Sequence, residues 1–137
     1  MDHLLSVLIA EDDLDTQTAF QRYVDTLDDV KLLGISPTVT EAVQKICDFL
    51  PHSVILDLEL EDGHGGLDVL RRVKDAALPK KPFFRITTNS LDTSAHEQAR
   101  PLGADFILYK GQQSYSEKYA MDFLRYKGET IIEFYNK

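Results

Sequence analysis

Five short runs of apolar, β-favouring residues, each followed by a stretch whose apolar residues recur at helical spacing, restrict this chain more than anything else in it. The runs fall at residues 4–10 (LLSVLIA), 30–35, 54–58 (VILDL), 83–87 and 106–109. None alternates with polar residues, which is the mark of strands covered on both faces. Between them, Phe20, Tyr23, Val24 and Leu27 share one helical face, as do Val39, Ala42, Val43, Ile46, Cys47 and Leu50, then Leu67, Leu70 and Val73. Ala95, Gln98 and Ala99 mark a short fourth helix that Pro101 ends, and Tyr119, Ala120, Phe123 and Leu124 the inner face of a fifth. Start signals agree with this division: Asp13 or Asp15 for the first helix, Thr38-x-x-Glu41 for the second, Asp92 for the fourth, Ser114-x-x-Glu117 for the fifth.

Five β-α units in succession predict an α/β fold, a five-stranded parallel sheet doubly wound by helices, (βα)5 and flavodoxin-like. At 137 residues there is room for one core. The expected domain covers residues 1–128, with 129–137 an apolar extension of the last helix or a tail. That apolar end is expected to pack on the domain or to meet a partner or second protomer, so a homodimer stays open. A net charge of −8 repels nucleic acid and anionic membrane. With no apolar run near a membrane span and no signal-peptide pattern at Met1 to Leu4, the expected location is cytoplasmic. Cys47, the sole cysteine, cannot form an intrachain disulfide. His3, His52, His64 and His96 lack metal-ligand spacing and are expected at the surface, His64 bordering the site described next.

In such sheets the functional crevice lies beyond the carboxyl ends of the strands. Those ends carry Glu11, Asp12 and Asp13, then Asp57, then Thr87 and Thr88, then Lys110. An ionised carboxylate at the end of a buried strand, as Asp57 must be, requires a compensating cation or donor. Two carboxylates about 4 Å apart repel by about 4 kcal/mol at an effective dielectric near 20. A hard divalent ion relieves this, and oxygen ligands without His or Cys favour Mg²⁺. An Mg²⁺ site beside a free carboxylate, a hydroxyl and an ammonium suits phosphoryl transfer, with the carboxylate as nucleophile.

These pieces together, VLIAEDD, VILDLEL, FFRITTNS and LGADFILYKG in that order, resemble the CheY-like receiver domains of two-component response regulators over nearly the whole chain. The resemblance implies that Asp57 accepts a phosphoryl group from a histidine kinase or a His phosphotransfer protein. It implies that Glu11 and Asp12 hold Mg²⁺ with Asp57 and the backbone carbonyl of Glu59, and that Lys110 contacts the phosphoryl group. Counting from Pro82 puts the switch hydroxyl on Thr87; counting back from Gly103-Ala104 puts it on Thr88. The forward count is preferred. Phosphorylation would then bias the face made by the fourth helix, fifth strand and fifth helix toward a downstream protein partner, and Glu59 and Asn89 would set the rate of hydrolysis. The domain is expected to act without an effector on this chain.

The chain also departs from the family pattern. Glu61 stands where a Pro is usual, and Gly65-Gly66 adds a residue, so the loop over Asp57 is expected to be looser. Ile107 takes the place of a switch aromatic, and Gly111 that of the Pro after the Lys, where a trans peptide is expected because a cis bond to a non-proline costs about 2.5–4 kcal/mol. Two rivals follow. One is a pseudo-receiver that serves as a constitutive interaction module; the other is an Asp-nucleophile phosphatase, for which Asp57-Leu58-Glu59 lacks the second Asp.

Overall fold

The computed structural model describes residues 4–137, and His3 lies outside them. Strands and helices alternate as β1 Leu5–Ala10, α1 Leu14–Val24, β2 Val30–Ser36, α2 Val39–Phe49, β3 Ser53–Asp57, α3 Gly65–Asp75, β4 Phe83–Thr88, α4 Thr93–Ala99, β5 Ala104–Tyr109, α5 Glu117–Tyr126 and α6 Gly128–Tyr135. The strands form one parallel sheet in the order β2-β1-β3-β4-β5. The predicted doubly wound fold is therefore the observed one. From β1 the chain builds outward first to β2 and then, through β3, to the other edge, so helices cover both faces.

The two-residue period of each strand sorts its side chains between two cores. Leu8, Ala10, Val54, Leu56, Phe84 and Ile86 pack against α2, α3 and α4. Leu5, Val7, Ile9, Ile55 and Leu108 pack against α1, α5 and Ile131 of α6. Caps set where the helices begin. Asp13 accepts the Thr16 N–H at 2.9 Å, Thr38 the Glu41 N–H at 3.2 Å and Asp92 the Ser94 N–H at 2.9 Å.

The fifth helix departs from expectation. Ser116, not Ser114, caps it, accepting the Tyr119 N–H at 3.0 Å. Tyr115 turns into the α1/α5 core, held by a Tyr115 N–H bond to the Gln112 carbonyl, so the helix cannot start before it. The buried stripe is consequently Ala120, Met121 and Leu124, while Tyr119 is 41% exposed and Phe123 only half-buried. The chain breaks at Lys127, and residues 128–135 form a separate helix whose Tyr135 hydroxyl donates to the Leu50 carbonyl at 2.6 Å.

His52 is half-buried rather than fully exposed. Its Nδ1 accepts the Ser6 N–H at 2.9 Å, its own N–H goes to Ser6 Oγ at 2.8 Å, and its ring meets Tyr135 edge to face. Burial holds its pKa below the usual range, consistent with a neutral, accepting ring. On the α1/α5 face, Arg125 Nε bonds both oxygens of Asp29 at 3.0 Å, and its Nη1 bonds the Tyr23 hydroxyl and Asp122. This ties the C-terminal half of α5 to the end of α1.

The segment after Asp57 is anchored rather than loose. Leu58 and Leu60 are fully buried, and the Gly66 N–H bonds the Leu58 carbonyl at 3.0 Å. Glu61 adopts φ 59°, a left-handed value closed to proline, which explains the missing Pro in backbone terms. A Cβ on Gly66 would stand 2.5 Å from Leu58 Cα and 2.7 Å from the Asp57 carbonyl oxygen. Both are backbone atoms of the strand end, so Gly66→Ala is expected to destabilise the domain by about 1–3 kcal/mol, read from the urea midpoint.

Candidate functional site

The strand ends converge as their side chains require. Glu11 follows β1 with its N–H on the Ser36 carbonyl of β2, and Asp57 closes β3. Lys110 follows β5 with its N–H on the Thr88 carbonyl at 2.8 Å. Its ammonium reaches back across β4 to lie 3.1 Å from Glu11 Oε1 and 3.5 Å from Asp57 Oδ2. Both acids are buried, Glu11 at 2% exposure and Asp57 at 5%. One carboxylate oxygen each from Glu11, Asp12 and Asp57 lie within 4.8 Å of one another.

The acidic triplet after β1 divides its labour. Asp13 caps α1, taking both the N–H and the hydroxyl of Thr16. Glu11 is fixed on two sides: Oε2 accepts the Asp13 N–H at 3.1 Å while Oε1 faces Lys110. Asp12, half-buried, completes the acidic group.

Register separates the two threonines. Asp57 pairs with Thr87 across the β3/β4 ladder, so their side chains stand on one face; Thr88 points to the other. There the Thr88 hydroxyl donates to Glu59 Oε2 at 2.6 Å and accepts the Ser90 N–H at 3.0 Å. Glu59 Oε1 also takes the Asn89 N–H at 2.7 Å. This carboxylate clasps the β4–α4 loop to the β3 loop, a use of Glu59 that sequence reasoning missed, having assigned it a metal-ligating carbonyl and a part in hydrolysis. The Glu59 N–H in turn bonds Asp57 Oδ1 at 3.0 Å. His64, exposed, precedes α3 without capping it, and the half-buried His96 ring lies 3.1 Å from the Ser90 carbonyl. No peptide bond among the described residues is cis, Lys110–Gly111 included.

The site is short of positive charge. Burial pushes the Asp57 carboxyl up to about 7; Lys110 pulls it down, and Glu11 raises it again. For Lys110 burial acts downward, but Asp57 and Glu11 outweigh it and its pKa rises. Three hard oxygen donors around an under-compensated carboxylate fit a small divalent cation, and no His or Cys joins them among the described residues. Glu11 and Asp57 each already engage both oxygens, so Asp12 is the best placed of the three to ligate it.

A carboxyl whose folded pKa lies above its unfolded value of about 4 binds its proton preferentially in the folded state, so stability falls as pH rises between the two. In a chelator, the melting temperature of the protein is therefore expected to drop against Asp57→Asn as pH rises from about 4 to about 7, the gap levelling off above that. Excess Mg²⁺ should narrow that gap, by about 1.4 kcal/mol at ten times its Kd. Glu59→Ala removes both clasp bonds and should cost about 1.5–3 kcal/mol, with amide exchange at Asn89 and Ser90 speeded more than within β4.

No protein-family model matches the chain. Among curated proteins it is 27% identical over 107 residues to protein-glutamate methylesterase/protein-glutamine glutaminase 1 of Methanospirillum hungatei, covering 78% of this chain and 31% of that protein. To the oxygen regulatory protein NreC of Staphylococcus aureus it is 23% identical over 136 residues, covering 94% of this chain and 58% of that one. The chain thus spans less than two thirds of either relative. Solved structures match it nearly end to end. The response regulator domain of Thermotoga maritima CheB superposes with a TM-score of 0.72 at 20% identity, covering 98% of both chains. A LuxR-family DNA-binding response regulator from Staphylococcus aureus gives 0.75 at 24% identity, covering 90% of this chain and 98% of that one. A CheY-like receiver domain protein from Methanospirillum hungatei gives 0.75 at 17%, covering 95% and 98%. With its sheet order and its relatives both pointing one way, this chain has the fold of a CheY-like response-regulator receiver domain.

Proposed function

We propose that the domain is a phosphoacceptor switch, taking a phosphoryl group from a phosphohistidine of a histidine kinase or His phosphotransfer protein onto Asp57. The observation that carries this reading is the convergence of Lys110 on Glu11 and Asp57, with Asp12 beside them, at the crevice end of the sheet.

The nucleophile is an oxygen of the Asp57 carboxylate. It forms a bond to phosphorus as the phosphorus–nitrogen bond to the donor imidazole breaks; the electron pair returns to the ring nitrogen. The Glu59 N–H at Asp57 Oδ1 fixes the carboxylate's orientation, and the Lys110 ammonium at Oδ2 is placed to meet charge arriving on the phosphoryl oxygens. Thr87, on the Asp57 face, is the hydroxyl suited to accompany them, since the Thr88 hydroxyl is engaged by Glu59. Mg²⁺, held by Asp12, Asp57 and the Glu59 carbonyl with Glu11 beside it, would supply charge neutralisation on the same oxygens. Hydrolysis of the acyl phosphate resets the switch. Glu59 and Asn89 border that reaction, and the clasp joining them keeps the loop closed. The output surface is the face of α4, β5 and α5, binding a downstream protein in the cytoplasm.

Incubation with acetyl phosphate or phosphoramidate and Mg²⁺ is expected to add the mass of one phosphoryl group, lost in Asp57→Asn and in excess chelator. Lys110→Met should slow loading about tenfold or more. A wild-type protein that takes no label at saturating donor overturns the reading and leaves a constitutive interaction module.

A further inference from the structure

Among the described residues, one charged side chain is buried without a counter-ion. Arg85 lies in the middle of β4, 4% exposed, opposite Ile55 of β3 and Phe106 of β5. Its register puts it on the face of Asp57 and Thr87, beneath α5. Arginine is almost never fully buried unless paired. Yet none of the ion pairs among the described residues includes it. Its Nε is buried and makes no hydrogen bond. What holds the guanidinium is the ring of Phe123, whose centroid is 4.1 Å away.

A second orphan stands beside it. The Tyr115 hydroxyl is likewise buried and makes no hydrogen bond of ordinary length, although the Glu117 carboxylate lies close to it. Burial pushes its pKa up, and the neighbouring carboxylates of Glu117, Glu11 and Asp57 push in the same direction. Burial holds the Arg85 pKa below its ordinary value, and the nearby hydroxyls of Tyr119 and Tyr115 act in the opposite direction. Tyr115 thus lies near both the crevice carboxylates and Arg85, and Arg85 in turn stands over Phe123. Phe123 in turn touches Phe106 edge to face at 4.9 Å and stacks on Phe83 at 6.5 Å. From Phe106, 47% exposed, and Tyr119, 41% exposed, the cluster reaches solvent.

We propose that Arg85 and Tyr115 are positioning residues that carry the charge state of Asp57 to the aromatic surface of β5 and α5. This rests on the phosphoacceptor reading. A phosphoryl group adds negative charge and acceptor oxygens on the face the two donors share. Arg85 and the Tyr115 hydroxyl then shift toward the crevice, Arg85 leaves the Phe123 ring, and Phe123 repacks with Phe106. The differential interaction that biases the two arrangements is the attraction of two donors that lack ordinary hydrogen-bond partners before loading and gain an anion after it.

The test labels phenylalanine with fluorine, assigns Phe123 and Phe106 by substitution, and loads the protein with acetyl phosphate and Mg²⁺ while mass reports occupancy. Wild type is expected to shift both resonances on loading. Arg85→Met should fold, since it replaces an unpaired buried charge by an apolar chain of similar length, and should load to the same extent. Its Phe123 shift should fall at least fivefold, Arg85→Lys should restore part of it, and Tyr115→Phe should reduce it. A full Phe123 response in Arg85→Met overturns the inference, as does equal loss in Arg85→Met and Arg85→Lys, which marks a packing role alone. Loading of wild type without a Phe123 shift overturns the inference and spares the phosphoacceptor reading. Absence of loading overturns both.

Discussion

The contact on which this structure depends is the Lys110 ammonium between Glu11 and Asp57. It joins the ends of β1, β3 and β5 across a strand that contributes no charge at that level. Removing Lys110 would leave two buried carboxylates to repel each other at close range in a poorly solvated rim. The arrangement is costly to folding, because burial raises the Asp57 pKa and the Glu11 charge beside it adds to the rise, and a carboxyl so perturbed in a crevice marks a candidate for chemistry. Stability spent at this rim is recovered below it, in strands buried on both faces and in two cores that meet only through the sheet.

Around that contact the backbone is held from three directions. Gly66 lets α3 come within van der Waals reach of the Asp57–Leu58 main chain. Glu59 clasps the loop after β4, and Asp13 fixes the start of α1. Each restraint acts on a residue adjacent in sequence to a functional one. The segment after Asp57 is accordingly a small fitted piece, with two leucines inserted in the core and one residue in a left-handed conformation, in place of the flexible loop that its acidity suggests.

Strands and helix faces were legible because each is announced by several residues at a fixed period, and one substitution seldom erases such a signal. Glu11, Asp57 and Lys110 were legible because each ends an apolar run abruptly. Choices between neighbours were harder. Ser114 and Ser116 can both cap a helix, and what decides is Tyr115 turning inward between them. Thr87 and Thr88 differ only in which face of the ladder they occupy, which register sets and composition does not. Two signals were available and unused. Arg85 sits at the centre of FFRITT, so period two sends it inward in a sheet covered on both sides, and Glu59 two residues past Asp57 stands level with the end of β4. His52 reads as a loop residue until its backbone is seen to exchange bonds with Ser6.

The fastening of Arg125 to Asp29, Tyr23 and Asp122 also limits how α5 can move. The far half of that helix is pinned to α1 by a planar fork with several bonds, whereas its first turn is held by the Ser116 cap and leaves Tyr119 41% exposed. Whatever displaces this helix, the end fastened at Arg125 gives least and the exposed first turn most.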